Sequence, residues 1–437
     1  MLTCGLDIGS TNVKVVLADD AGRSRWVKAV PTPRRHDGTG IATDAGALVV
    51  LLEDMIIAGW RAAGRGLPLK AIAAAGVGED GVCVDGGLQP LGLAIPWFDK
   101  RAMAEVAIFA AAYALTRVDF QTTAAKWMWL RRNRPPEITA ARQWLTLTDY
   151  ASSIWCGEPF ISETLAARTG CYDVMGRNWN AEALQFCAAP ALPRVLKAGQ
   201  AAGTLAAGRL RQSGAANAAT LIVAGGHDHP IAASAIQRLD ARARVDSLGT
   251  ANVVYGETQV ARPALAGSNL EASVPARGGP GVALMGVIEF SATLLGSFGG
   301  ESGGESVVRK YLSQSRLPGS PARPAHGDDG GDHRLRQVLE DMARGARRFL
   351  AAMDRAGVPH GPIFATGGWA RSTALIELRA SMFGEAITIV DEPELVGLGA
   401  ALLGLEGANG APAVFRPVNG LHVVDPLVEW MEAYGSI

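Results

Sequence analysis

Four short constellations hold the residues whose types and spacing could do chemistry. In Gly5-Leu-Asp-Ile-Gly-Ser-Thr-Asn-Val-Lys14 an apolar run delivers Asp7 into a turn of small and hydroxylated residues before a second apolar run begins. Such a turn can close backbone N–H groups and hydroxyls on phosphate oxygens, and a carboxylate at the strand end can hold the accompanying Mg²⁺. An ordinary hairpin whose Asp and Thr satisfy the turn is spelled the same way, since a lone Gly-rich turn is a weak signal. A second copy strengthens the phosphate reading. Arg244-Val-Asp-Ser-Leu-Gly-Thr-Ala-Asn-Val-Val-Tyr255 repeats the plan of strand, Gly-Thr turn and strand, which suggests a duplicated domain with two phosphate loops facing one cleft.

The third constellation is Ala224-Gly-Gly-His-Asp-His-Pro230. Asp228 follows an apolar strand and two glycines, where a carboxylate can reach a substrate; it can equally cap a following helix, with Pro230 at an early helical position. On an extended strand His227 and His229 would point to the same side, yet no further Cys or His cluster completes a metal shell around them. The fourth is Gly78-Glu-Asp-Gly81, two adjacent acids in a Gly turn, a pattern that is often simply solvated.

Stepping outward, 437 residues with 48% hydrophobic content can fill two cores. A formal charge of −1 and a pI near 6.7 offer no basic field to nucleic acid or an anionic membrane, so the expected partner is a small molecule. Five cysteines without C-x-x-C spacing fit a reduced compartment. Asp7 interrupts the first apolar run and no uncharged stretch reaches membrane-spanning length, so a cytoplasmic protein is expected.

The patterns predict strands over residues 3–8, 13–18 and 26–30, a helix carrying Leu48, Leu51, Leu52, Met55 and Ile56, and a buried strand over 70–77. Trp127, Leu130, Trp144 and Leu147 are expected core residues of a mostly helical stretch broken at Pro135-Pro136. A short strand over 221–224 ends at Gly225-Gly226. In the second half the expected elements are a helix over 335–353, a strand over 362–366, a helix over 372–383 and a strand over 386–390. Residues 296–332, rich in Gly, Pro and Asp, read as mobile loop around a short helix near 307–312.

Taken together, the opening motif, Ala224–Pro230, Ser247-Leu-Gly-Thr250 and Ala365-Thr-Gly-Gly-Trp-Ala-Arg-Ser372 resemble, in order and spacing, the landmarks of the FGGY carbohydrate kinases, which include glycerol kinase and the pentulose kinases. The resemblance spans nearly the whole chain. It implies an α/β fold of two actin-like, ribonuclease H-like domains around an ATP and sugar cleft, over residues 1–236 and 237–437. It also implies ATP and Mg²⁺ as cofactors, a sugar or polyol as acceptor, and room for a homodimer.

Residue by residue, the resemblance implies that Asp228 is the catalytic base. Asp7 acts on Mg²⁺, and Ser10, Thr11, Asn12 and Lys14 surround the phosphates, although a Lys on a strand can also be a solvated edge residue. Gly249 and Thr250 form the other phosphate loop, with Gly367, Gly368 and Arg371 on the adenosine side. For the acceptor, Glu79, Asp80 and Asp99 are expected to take hydrogen bonds from polyol hydroxyls, with Trp97 and His227 beside them. Two departures stand out. Glu79-Asp80 replaces the Met-His pair usual in pentulose kinases, and a short connection into residues 332–353 replaces a Gly-Glu-Arg-x-Pro segment, so the second domain is trimmed. An actin-like ATPase with no sugar substrate shares the two phosphate loops and stays open on these residues alone.

Overall fold

The computed structural model describes residues 1–63, 66–113, 121–296, 304–314, 317 and 330–434. Most of the expected 296–332 loop lies outside them; the short helix inside it runs Gly304–Leu312. Contacts divide the chain into two compact units. The first comprises Met1–Arg238, Ser273–Pro280 and Glu394–Arg416, and the second Leu239–Ala272, Gly281–Pro393 and Pro417–Ile437. A single cut at 236/237 thus lies beside the first crossing, while the segment Glu394–Arg416 belongs with the first unit.

The first unit is built on a six-stranded sheet in the order Ala201–Thr204, Leu221–His227, Ala71–Gly76, Leu2–Ile8, Asn12–Asp19 and Ser24–Pro31. Leu2–Ile8 runs parallel to Ala71–Gly76, which in turn runs parallel to Leu221–His227. Both faces of this centre are covered, which is why its strands read as continuous apolar runs and not as alternation. Helices Ala45–Ala62 and Leu147–Cys156 cover one face, burying Leu48, Leu52, Met55 and Ile56 against Leu6, Val15 and Leu17. Helix Leu395–Asn409 and helix Asp228–Ile236 cover the other, with Ala73, Ile231, Ala400 and Leu403 in one cluster.

That second layer demands glycine. A Cβ on Gly5 would stand 1.8 Å from the Gly397 carbonyl oxygen, so helix and strand approach backbone to backbone. Trp127, Leu130, Trp144 and Leu147 are buried as their pattern predicted, and the two indoles meet edge to face at 5.3 Å.

The second unit holds a seven-stranded sheet in the order Glu271–Ser273, Val282–Glu289, Ala251–Thr258, Arg244–Leu248, Ile363–Thr366, Ile387–Val390 and Leu421–Val424. Arg244–Leu248 pairs antiparallel with Ala251–Thr258 and parallel with Ile363–Thr366, the same local plan as the opening of the chain. Helix Gly330–Arg355 packs against Thr373–Phe383 and the strand Val282–Glu289. Among the described residues no helix is long and apolar enough to cross a membrane.

Candidate active site

Three parallel strands of the first unit end side by side, since Ile8 and His227 both pair with Gly76. In such sheets ligands bind beyond the carboxyl ends of the strands, and here those ends carry Asp7, Glu79 and Asp228. Asp7 sits opposite Lys14 in the antiparallel register, a placement that lets cross-strand partners interact. Lys14 Nζ lies 3.5 Å from Asp7 Oδ2 and 2.8 Å from Glu394 Oε2. It is no solvated edge residue. Burial pushes the Asp7 carboxyl up to about 7, the Asp228 and Glu394 carboxylates push the same way, and Lys14 opposes them. Burial disfavours the Lys14 ammonium, but Asp7 and Glu394 outweigh it and raise its pKa.

The turn between these strands is fixed from below and open above. Gly9 N–H donates to the Asn12 carbonyl at 3.1 Å, the Thr32 hydroxyl donates to the Gly9 carbonyl at 2.7 Å, and Arg34 Nη2 donates to the Ser10 carbonyl. The Thr11 residue is exposed, and Ser10 and Asn12 are half-buried. Asp7 supplies hard oxygen ligands beside this turn, while among the described residues no group of three His, Cys, Asp or Glu could hold a metal. That donor set fits Mg²⁺, which protein sites commonly bind through one or two carboxylates together with substrate phosphates.

Asp228 is held by its neighbours. The chain reaches it through Gly226 at φ +152°, where a Cβ would lie 2.0 Å from Thr164 Oγ1. His227 N–H donates to that same hydroxyl at 2.9 Å. A helix then starts at Asp228, so His229 stands in its first turn and the expected strand alternation of the two histidines does not occur. Their rings sit edge to face at 5.8 Å. Asp228 Oδ1 accepts the His229 backbone N–H at 2.7 Å and lies 3.2 Å from His227 Nε2. Burial would raise the Asp228 carboxyl, but His229, His227 and the backbone bond together hold it below the ordinary aspartate range. Burial pushes His227 down to about 4. At neutral pH it is therefore an uncharged imidazole, with its Nε2 3.2 Å from Asp228 Oδ1. Its Nδ1 is buried with no hydrogen-bond partner among the described residues.

Glu79 and Asp80 are not solvated, being only 5% and 2% exposed. Glu79 Oε1 takes Arg168 Nε and Nη2, both at 2.6 Å. Burial raises the Glu79 carboxyl, Arg168, His227 and Lys126 together outweigh it, and the net shift is downward. Asp80 has weaker company. Its Oδ1 is 4.0 Å from Lys126 Nζ, and burial followed by the Glu79 charge pushes it up to about 7 against the pull of Lys126. Lys126 also donates to the Glu79 and Ile95 carbonyls at 3.1 and 3.3 Å, and burial lowers its pKa.

Asp99, expected at the acceptor, is taken by Arg101, through Nη2 at 2.7 Å and the backbone N–H at 2.8 Å. Arg101 continues to Asp37 at 2.6 Å. The half-buried Trp97 meets Phe98 edge to face at 5.6 Å, and the Arg34 guanidinium lies over the Phe98 ring at 4.6 Å. Sequence reasoning missed Arg34, Lys126, Arg168 and Glu394. Of these only Lys126 left a trace, a lone cation between Ala125 and Trp127 in a run of buried residues.

In the second unit Gly367, at φ +97°, packs so closely on the preceding strand that a Cβ would stand 2.4 Å from the Leu248 carbonyl oxygen, whereas a Cβ on Gly368 would meet open space. The Ser291 hydroxyl donates to the Gly249 carbonyl at 3.1 Å and accepts Trp369 Nε1–H at 3.1 Å; Ser291 N–H donates to the Thr250 carbonyl at 2.9 Å. Gly249, Thr250, Gly367 and Gly368 are thereby brought into one place, with the Arg309 guanidinium 4.9 Å from the Trp369 ring. Arg371 points elsewhere, to an exposed pair with Asp391 at 3.3 Å. Asp246, the counterpart of Asp7 in the repeated pattern, is fully buried on Arg379, at 2.7 and 2.9 Å, and Asn252 at 2.6 Å.

Residues 2–235 match the N-terminal domain of the FGGY family of carbohydrate kinases, and residues 302–408 match its C-terminal domain. A xylulose kinase of Streptomyces coelicolor is 27% identical over 450 residues, covering 96% of this chain and 91% of the relative. An L-fuculokinase of Escherichia coli K12 is 24% identical, with 92% of each chain covered. The crystal structure of a xyloylose kinase from Brucella ovis superposes with a TM-score of 0.86 at 23% identity, over 100% of this chain and 97% of the other.

Proposed function

This chain belongs to the FGGY family of carbohydrate kinases, and from that premise we propose that it transfers the γ-phosphoryl group of ATP, with Mg²⁺, to a hydroxyl of a pentulose such as xylulose. The observation that carries the mechanism is that Asp7 and Asp228 stand at the carboxyl ends of the two parallel strands flanking Ala71–Gly76, with Lys14 opposite Asp7 on the antiparallel neighbour. The choice of a pentulose is supported by the xylulose kinase of Streptomyces coelicolor, which matches along nearly the whole chain.

Phosphoryl transfer asks a protein chiefly to align the reactants and to neutralise developing charge. Asp228 accepts the proton of the acceptor hydroxyl while that oxygen forms its bond to the γ-phosphorus and the bond to ADP breaks. His227 stands beside the carboxylate, its Nε2 3.2 Å away, and Thr164 fixes the backbone that presents both. Asp7 is the Mg²⁺ ligand; bound there, the ion would neutralise phosphate charge. Ser10, Thr11, Asn12 and Lys14 surround the phosphates, Gly249 and Thr250 serve as the second loop, and Gly368 leaves open space for the adenosine. On the acceptor side, Trp97, His227 and the under-partnered Asp80 contact the sugar, while Glu79 acts through Arg168.

Two results are expected. An ADP-release screen over ketoses and polyols should give its highest kcat/KM with a pentulose, and a preference for glycerol or a hexulose would overturn that choice. The second concerns pH. A base whose folded pKa is depressed stays ionised above that pKa and is lost as pH falls through it. The acid limb of kcat/KM should therefore show the loss of Asp228 only below about pH 3.9, the ordinary aspartate value, after an earlier step near pH 7 where Asp7 must shed its proton to hold Mg²⁺. Saturating Mg²⁺ should remove the step near pH 7, and a limb near about 6.5 that persists at saturating Mg²⁺ would assign the base to a histidine instead.

A further inference from the structure

We propose that Glu394 is a positioning residue for phosphoryl transfer, acting through Lys14; the inference rests on the reading of Asp7 and Lys14 as the phosphate end of the site. Glu394 lies far from that site in sequence, and it is the first residue of the segment Glu394–Arg416 by which the chain returns to the first unit. It stands at the N-cap of helix Leu395–Asn409, yet its side chain makes no capping bond to that helix. The carboxylate reaches Lys14 Nζ at 2.8 Å instead. An acid at an N-cap normally satisfies the orphan N–H groups of its own first turn, so this one is committed to a different task.

The mounting is rigid. One turn into the helix, Gly397 lies against Gly5 at a separation that admits no Cβ, and Gly5 is two residues before Asp7 on the same strand. Glu394, Lys14 and Asp7 therefore share one backbone frame. Lysine is a compact charge on a flexible four-carbon stem. With Asp7 as its sole carboxylate, the ammonium would settle on Asp7 and occupy the oxygens needed for Mg²⁺. Glu394 draws it to the other side, so that Nζ rests nearer to Glu394 than to Asp7, 2.8 against 3.5 Å. Asp7 stays available and the ammonium stays beside the Gly9–Asn12 turn.

The test is a double-mutant cycle on the full-length protein with Glu394→Gln, Lys14→Met and the pair. The readouts are the dissociation constant of the Mg²⁺ complex of a non-hydrolysable ATP analogue, measured by calorimetry, and the KM for the ketose. Glu394→Gln should weaken nucleotide binding by about tenfold, the low end for loss of a group that orients a ligand, and leave the ketose KM within about twofold. The double variant should bind no worse than Lys14→Met alone, because the glutamate has nothing left to position. A role confined to holding the helix predicts additive losses with a lowered melting temperature, and that result overturns the proposal. Unchanged nucleotide binding in Glu394→Gln with weakened binding in Lys14→Met overturns it while sparing the phosphate-site reading. Unchanged binding in Lys14→Met overturns both.

Discussion

Asp228→Asn is expected to cut turnover by about 10²–10⁴-fold, the usual contribution of a positioned general base, while the protein folds and binds nucleotide as before. The substitution keeps the size and polarity of the side chain. Its amide oxygen can still accept the His229 N–H that now bonds Asp228 Oδ1. What it cannot do is take a proton from the acceptor hydroxyl. If Asp228 merely steadied the first turn of helix Asp228–Ile236, asparagine would serve equally well. Turnover within about threefold of the parent, far short of the loss a general base incurs, would remove Asp228 from the mechanism. A fall in melting temperature matching the fall in rate would make its role structural.

The largest expected loss of stability lies in the second unit. Arg379 and Asp246 are both fully buried and joined through two hydrogen bonds, and Asn252 closes the group by accepting from Arg379 at 3.0 Å. Arg379→Met leaves a buried carboxylate without its cation, a change that costs about 3–5 kcal/mol. For a unit of this size that corresponds to a fall in melting temperature of about 6–20 °C. Arg371→Met is the built-in comparison, since its partner Asp391 is met at a surface where side chains are 54% and 34% exposed; it should cost at most about 1 kcal/mol. Equal, small shifts for the two variants would contradict the assignment of Asp246 to the core.

Asp246 also shows where sequence reading ends. The strand-turn-strand pattern around it copies that around Asp7, and the structure repeats the sheet plan at both places. The two aspartates nevertheless do different things, because a residue 133 positions further along the chain supplies an arginine to one of them. Elements were legible because apolar runs and glycine turns are local signals: helix Thr373–Phe383 even uses Ser372 as its cap, accepting Leu375 N–H at 3.2 Å. Side-chain partners brought from far away were not. Glu79 and Asp80 read as acceptor-binding acids or solvated ones, and nothing local pointed to Arg168 and Lys126, from later segments, as their partners.

Local competition was legible in principle. Asp99 was read for its bond to a polyol alone, while Arg101 sits two residues on, close enough to bind it through backbone and side chain together. The strand alternation of the histidine pair gives way for a similarly local reason, since the helix starts at Asp228, with Pro230 in its first turn, and takes His229 off the strand. Glu394 carried no signal at all, because nothing near it in sequence points to Lys14.

The measurement that bears most directly on the account is phosphorus NMR of the protein with ATP, Mg²⁺ and xylulose, run for the parent and for Asp228→Asn. The parent should form a sugar phosphate in step with ADP, one for one, with little inorganic phosphate, and the variant should form neither product at a comparable rate. Release of ADP and inorganic phosphate at a rate indifferent to the sugar, with no sugar phosphate from any ketose tried, would mean that the site hydrolyses ATP and transfers its γ-phosphoryl group to no sugar.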